Sequence, residues 1–489
     1  MAGIAGIRSN DNEKLNHILE KIKHRGPHGS WTNSDHEISL GCCELNVGED
    51  LNTVAHYKVE GQKTVVLDGR IYNPAKPNMT DAEAVLDIYN KFGTQFAANL
   101  DGDFACAICD NGKLTLGRDL AGIKPLYYGH SNGDLCFASE IKGLAGIVDD
   151  IKEFPPGYAY SPESGFQKFT WQAIETPDFE NEEQAKKIIL QLLQEATEKR
   201  MKDNAVNGIF LSGGLDSSII ACMVKGIKPD IDAFTVSMED GQDLPLAKDV
   251  AKHLDIKHHI FIFNEKDIND ILPQAIYNIE TFEESCVHGA IANLLTAKFA
   301  SSQSNCVLTG EGADEFFGGY TGQFSQAKDQ EEIAYLLDRL VNTAYNTGLQ
   351  RLDRLNAAIS IESRTPFLDT RVMDFCLKIP ISHKINSLNQ TGKWILRQAF
   401  DGRLPENVIY QTKRFFAQGS GVAQIMRKIA EKHVSESDLK NHNNVKGNPF
   451  LSSFEELYYY RIFKNTFPQP MFDKLAHRWD PFKPDFFRR

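Results

Sequence analysis

Between residues 205 and 310 the chain alternates in a way that leaves few folds open. The strand-like runs "VNGIFL", "DAFTVSM", "HHIFIF" and "NCVLTG" are separated by the helix-like stretches "SSIIACMVKG", "LPLAKDVAKHL" and "INDILPQAIYNI", with a further helix before the last strand. Strands spaced by helices predict a parallel sheet covered on both faces, because parallel neighbours need a long crossover connection. Ligands of such sheets bind beyond the carboxyl ends of the strands. Two polar loops fall at those ends, "SGGLDSS" and "TGEGADE", and are predicted to open onto one crevice.

The first loop, within "GIFLSGGLDSSII" at residues 208 to 220, crowds N–H groups and hydroxyls at a strand-to-helix turn, an arrangement suited to an anion. It lacks the lysine of a Walker loop and the glycine spacing of a dinucleotide fingerprint. A loop ending in Asp-Ser-Ser suits pyrophosphate, with Asp216 available to Mg²⁺, which prefers oxygen ligands. The same turn without a ligand would leave many polar groups unpaired.

At 489 residues the chain is too long for one core. The first 175 or so residues are rich in short β-like runs, "KTVVLDGRIYN", "DFACAICDNGKLTLGRD" and "DLCFASEIKGL", with one helix candidate, "DAEAVLDIYNKF". The polar, Pro-containing "ETPDFENEEQ" reads as a linker into the amphipathic helix "AKKIILQLLQEATEKR". We therefore divide the chain at residues 1–178 and 179–489. Beyond about 330 the pattern is mainly helical, as in "YLLDRLVNTAY" and "FEELYYYRIF". A net charge of −13 argues against a nucleic-acid surface. No apolar stretch approaches the roughly 20 residues of a membrane span, and "MAGIAGI" is too short and lacks the charged lead of a signal peptide. Nine scattered cysteines fit a reduced, cytoplasmic compartment. In "CAIC", Cys106 and Cys109 lie three apart on a strand and are predicted to face opposite sides as packing residues.

The first loop resembles that of the ATP pyrophosphatases, which adenylate a substrate by cleaving ATP between its α and β phosphates. "AFTVSMEDGQDLPLAKDVAKHLDIKHH", "LTGEGADEFFGGY", "IESRTPFLD", "LPENVIYQTK" and "YYYRIFKNTFP" together resemble the asparagine synthetases. "HRGP", "GRDLAGIKPLYY" and "FASEIKGL" resemble the same family's amidotransferase domain, and the match runs essentially end to end. The resemblance implies an α/β chain: an Ntn-hydrolase-like αββα sandwich of the class II amidotransferases, then an ATP-pyrophosphatase parallel sheet flanked by helices. It implies ATP and Mg²⁺ as cofactors. Ser212, Gly213, Gly214, Asp216 and Ser217 would grip pyrophosphate; Leu211, Val236 and Gly310 would line the adenosine. Asp216 and Asp314 would share Mg²⁺, Lys413 would neutralise charge developing on the phosphates, and Glu311 would orient or deprotonate the attacking amine. Arg364 and Asp369, in "SRTPFLD", are expected to form a structural ion pair.

The amidotransferase motifs depart from the family. Glutamine-dependent relatives begin Met-Cys, the freed terminal cysteine being the nucleophile, whereas residue 2 here is Ala2. Glu44, in "CCEL", stands where an arginine would hold the glutamine carboxylate. Asp68, in "DGRIYN", replaces the oxyanion-hole asparagine and, as a carboxylate, has no hydrogen to donate; Arg70 replaces a glutamate. Only Asp81 remains to receive the substrate's α-amine. Cys42 and Cys43 supply no terminal amine and do not rescue the chemistry. The glutaminase is expected to be dead and the domain to persist as a scaffold.

Loss of glutaminase leaves ammonia or an organic amine as nucleophile, as in the β-lactam and carbapenam synthetases. Those relatives commonly carry Tyr at the position of Glu311, so "GEG" favours an intermolecular amide synthetase. Where many asparagine synthetases hold aspartate with two threonines and an arginine, this chain has Ser285, Cys286 and His288, and His288 is a poorer carboxylate anchor than arginine. The expected partners are a small carboxylate, aspartate or another acid, and ammonia or an amine, with neither nucleic acid nor membrane; a homodimer is possible. The alternatives are a specialised ligase for another acid and a nucleotide-binding pseudoenzyme. A tRNA-modifying enzyme is disfavoured by the acidic balance.

Overall fold

A computed structural model describes residues 2–476 apart from 36, 48–55, 77, 171–175 and 387–390. Its amino-terminal half is built on two six-stranded antiparallel sheets. One orders its strands Ile151–Glu153, Tyr127–Ser131, Asp134–Ala138, Ala2–Ile7, Ile38–Glu44 and Gly29–Asp35; the other runs Gly165–Lys168, Tyr158–Ser161, Lys113–Arg118, Gly102–Asp110, Lys63–Ile71 and Tyr57–Glu60. The period of two decides what lies between them. Ile4, Leu40, Cys42, Val66, Ala107 and Cys109 point inward and form one apolar layer. Val65, Leu67, Cys106 and Ile108 point outward under the helix Asp81–Phe92, and Ala5, Ile7 and Cys43 point outward beneath the helix Asn12–Ile22. The layers are therefore αββα. Cys106 and Cys109 do face opposite sides, and eight of the nine cysteines are buried, Cys222 being half-buried. Burial pushes the Cys43 thiol up to about 12 and that of Cys136 to about 11.

The other half carries a five-stranded parallel sheet, ordered Lys257–Ile262, Asp232–Ser237, Gly208–Phe210, Cys306–Leu308 and Glu362–Arg364. Four strands are those of the sequence alternation, and the helices Leu215–Ile227, Leu244–His253, Glu265–Ile279 and Glu284–Ala300 fill the places between them. The fifth comes from "IESRTPFLD", where Glu362, Ser363 and Arg364 are all polar and make no apolar run. The helix Glu182–Met201 leads into the sheet, and the region beyond 330 is mainly helical, including Gln330–Thr343 and Phe454–Thr466. Part of the polar linker, at residue 175, lies outside the described residues.

The halves are not independent cores. Ile7, Ile18, Cys136 and Ile141 of the first join Ile268, Ile276, Leu294, Leu355 and Phe463 of the second in one hydrophobic cluster. Buried ion pairs cross the same boundary: Asp353 takes Arg25 at 2.7 Å and Lys124 at 3.0 Å, and the Glu280 carboxylate accepts the backbone N–H groups of Ile141 and Lys142. The expected Arg364–Asp369 pair is not formed. Arg364, on the last strand, takes Asp203 at 2.7 Å and Glu362 at 2.6 Å, while Asp369, past the turn Pro366–Leu368, takes Arg200 at 2.8 Å and Lys199 at 2.5 Å. The turn directs the two side chains to different residues at the end of the helix Glu182–Met201.

Candidate active site

The central strand Gly208–Phe210 gives way to the loop 211–214 and the helix Leu215–Ile227. Ser212 and Ser217 hydroxyls lie 3.0 Å apart, Gly214 N–H donates to Ser212 Oγ at 3.2 Å, and Ser218 Oγ donates to the Gly214 carbonyl at 2.7 Å. The loop is thus rigid before anything binds. Gly213 has φ +84, and a Cβ there would sit 2.5 Å from the Asp243 carbonyl oxygen, so only glycine lets the turn pass. Gly310 serves closeness: its Cβ would fall 2.6 Å from the Asp216 carbonyl carbon, so the second loop lies directly on the first.

That approach brings Asp216 and Asp314 to one point. Lys393 Nζ contacts Asp216 Oδ1 at 2.7 Å, Asp216 Oδ2 at 2.6 Å and Asp314 Oδ1 at 2.6 Å. Lys413 Nζ lies 2.5 Å from Asp314 Oδ2 and 3.8 Å from Asp216 Oδ2. Two carboxylates and two ammonium groups therefore interlock. Burial alone would raise the Asp314 carboxyl, but Lys393 and Lys413 outweigh it and hold it well below the usual carboxylate range; the same ring holds the Lys413 ammonium above its ordinary value. The neighbouring carboxylates behave differently. Burial pushes Glu311 up, against the pull of its ion-pair partner Arg351, and pushes Glu315 up to about 7 with help from Asp314 and Glu311. Glu315 accepts a hydrogen bond from Tyr320 at 2.7 Å.

Asp216, Asp314, Glu311, Glu315, Arg351 and Lys413 line a cavity of about 660 Å³, within the range that holds a nucleotide or cofactor. Leu211, Ser212, Asp216, Ser217, Val236, Gly310, Glu311, Asp314 and Lys413 all border it, as do Ser285, Cys286 and His288. Gly214 borders a second cavity of about 60 Å³, which shares Ser212, Asp216 and Lys413 with the first and is rimmed by Lys393, Arg397 and Arg414. Gly213 borders neither of these two and shapes the turn. None of the expected donors for a second carboxylate is idle: the Ser285 hydroxyl donates to Glu283, His288 Nε2 lies 2.8 Å from Glu455 Oε2, and the Cys286 thiol is pushed far up by burial and by Glu283. Lys393 and Arg351 escaped sequence reasoning. Lys393 precedes the helix Trp394–Phe400 with φ +57, and nothing in "TGKWILR" separates it from a solvated lysine.

A divalent cation fits this donor set. The two carboxylates already converge within 2.7 Å of a single ammonium nitrogen, and both are oxygen donors.

At the amino-terminal positions Asp68, Arg70 and Asp81 are engaged elsewhere. The Ala2 N–H donates to Asp68 Oδ1 at 2.9 Å, and Asp68 Oδ2 accepts from Arg25 at 2.7 Å. Arg70 reaches Asp81 at 3.3 Å and crosses to Glu362 at 3.1 Å and Asp203 at 3.4 Å. Asp81 Oδ1 accepts the Ile71 N–H, and its carboxyl is pushed up by burial despite Arg70. Glu44 ends its strand half-buried, paired in register with Ala2 and Gly29.

Comparison with known proteins places this geometry. The family model described as asparagine synthase matches residues 189–343 and 323–479, and that described as glutamine amidotransferase domain matches 1–155. The chain is 30% identical to an asparagine synthetase (glutamine-hydrolyzing) of Asparagus officinalis, over 95% of this chain and 85% of that protein. It is 28% identical to a probable asparagine synthetase (glutamine-hydrolyzing) of Dictyostelium discoideum, over 95% and 92%. A solved glutamine-dependent NAD+ synthetase from Acinetobacter baumannii aligns at TM-score 0.25 and 11% identity, over 80% of this chain and 57% of that one, a likeness too low to carry an argument.

Proposed function

From the fact that this chain belongs to the asparagine synthase family of ATP-dependent carbon–nitrogen ligases, we propose that it joins a small carboxylic acid to ammonia or another amine without using glutamine. The observation that carries the ligase chemistry is the convergence of Asp216, Asp314 and Lys413 on one cavity. The acid's carboxylate oxygen attacks the α-phosphorus, the bond to the β-phosphate oxygen breaks, and pyrophosphate leaves. The loop from Ser212 to Ser217, at the amino end of a helix, supplies N–H groups and hydroxyls to the departing anion. The small basic cavity beside it, rimmed by Lys393, Arg397 and Arg414, has the charge to receive that anion. Lys413 offsets charge that builds between the α and β phosphates. Leu211, Val236 and Gly310 present the apolar surface for the adenosine. Asp216 and Asp314 would hold Mg²⁺, which supplies charge neutralisation on the phosphates when bound. The amine then attacks the acyl-adenylate, AMP leaves, and Glu311, whose raised proton affinity suits a base, accepts the proton.

What supports independence from glutamine is the state of the amino-terminal positions. A methyl group at Ala2 has no lone pair to attack an amide, Asp68 is spent on Arg25, and Asp81 on Arg70. The test is pyrophosphate and AMP release from ATP and Mg²⁺ across a panel of acids, with ammonium and then with glutamine. Turnover with ammonium and none above background with glutamine is expected. Equal rates from the two would overturn the glutamine arm, and silence with every acid would favour a nucleotide-binding protein without turnover.

A further inference from the structure

One group in the large cavity has no part in the chemistry above. Glu284 and His288 lie one turn apart on the helix Glu284–Ala300, and Glu455 reaches them from the first turn of Phe454–Thr466. One ligand atom from each lies within 4.8 Å of the other two. His288 Nε2 is 2.8 Å from Glu455 Oε2 and 3.0 Å from the Tyr459 oxygen, and the Ser453 hydroxyl donates to Glu284. His288 and Glu455 are buried, yet all three border the cavity. Two carboxylates face one imidazole, so the cluster is anionic whether His288 is neutral or protonated. The nearby cations do not compensate it. Arg351 is committed to Glu311, and Arg427 is largely solvent-exposed and paired with Glu431.

A second substrate carboxylate brought here would meet like charge and no unengaged donor among Ser285, Cys286 and His288. A cationic group would find two oriented carboxylates, Glu455 buried and Glu284 half-buried, a setting in which a charged hydrogen bond discriminates well. We propose that Glu284, His288 and Glu455 form a subsite for a side-chain ammonium or guanidinium group on the acid substrate, so that the acid activated here carries a cation where aspartate carries its second carboxylate. The inference rests on the ligase reading for the identity of that substrate. A metal is the less fitting occupant: Nε2 lies against a carboxylate and a hydroxyl, which favours a hydrogen there, so a metal at that atom would have to displace it.

The test separates the subsite from the ligase reading. Calorimetric titration of the full chain with Mg²⁺ and a non-hydrolysable ATP analogue compares arginine with citrulline, which keeps the shape and loses the charge, lysine with norleucine, and aspartate. The cationic member of each pair is expected to bind about tenfold or more tightly, with aspartate weakest. The double variant Glu284→Gln, Glu455→Gln is expected to erase the difference within each pair. Pyrophosphate release with the same acids reports on the ligase reading alone: its absence would sink that reading while the charge preference in binding stood. Equal affinities within a pair, no binding by any cationic acid, preference for aspartate, or one equivalent of a transition metal lost on His288→Ala would each overturn the subsite.

Discussion

Lys413 and Lys393 touch the same two carboxylates, yet only Lys413 also borders the large cavity. Replacing Lys413 with alanine removes the charge that would oppose the phosphates, so kcat for pyrophosphate release is expected to fall about 10²–10³-fold, with a near-normal melting curve. Lys413→Arg is expected to recover part of the loss. Glu315 predicts a pH effect on stability. Its carboxyl is raised to about 7 by burial and by Asp314 and Glu311, from roughly 4.3 in the unfolded chain. The unfolded state therefore releases its proton first, and stability is lost as pH rises through this window, on the order of 4 kcal/mol in all. Glu315→Gln keeps an acceptor for Tyr320 and is expected to flatten the fall in Tm between pH 5 and 7.5. Asp216, Glu311 and Asp314 were legible in the sequence because each sits in a motif of unusual glycine and charge spacing, and Lys413 through the resemblance carried by "LPENVIYQTK". Lys393, Arg351, Glu284 and Glu455 were not, because their neighbours are ordinary helix sequence and only the fold brings them to the cavity.

The elements that position the site were legible to different degrees. The alternation between 205 and 310 gave four strands and their helices because each run spans at least one full period. The strand Glu362–Arg364 escaped notice because its three residues are all polar and no apolar run marks it. The Arg364–Asp369 pair was misassigned because nothing in five residues of sequence reveals that a tight turn separates them in direction. At the first loop the backbone itself is the functional part. Gly213→Ala would place a methyl 2.5 Å from a backbone oxygen at a positive φ, with no flexible side chain to move aside. The expected result is a loss of about 1–3 kcal/mol of stability and of detectable binding of an ATP analogue, read by thermal unfolding with and without nucleotide. An unchanged ligand-induced shift would show that the turn does not hold the phosphates.

For the whole molecule, two family-sized halves share a hydrophobic cluster and a set of buried ion pairs. A fragment starting near residue 180 would expose Ile268, Ile276 and Leu294 and strand Asp353 and Glu362 without Arg25, Lys124 and Arg70. It is expected to be insoluble or inactive, and a soluble fragment with full activity would refute the scaffold role. Within the intact chain, Arg70→Ala leaves Asp81 as an uncompensated buried charge and Glu362 with Arg364 alone, and is expected to lower unfolding stability by about 3–5 kcal/mol, measured by denaturant titration.

The bridge from Arg70 to Glu362 also has a historical consequence. On the proposed reading, in which this chain does not use glutamine, Arg70 fastens one half of the protein to the other, so a return to glutamine would need more than a change at position 2. On that reading a cysteine placed at position 2 would put a nucleophile among Asp68, Arg70 and Asp81, whose charges are engaged in buried pairs. Such a joint works as a ratchet: freeing those groups would loosen the protein before a new nucleophile could be of use.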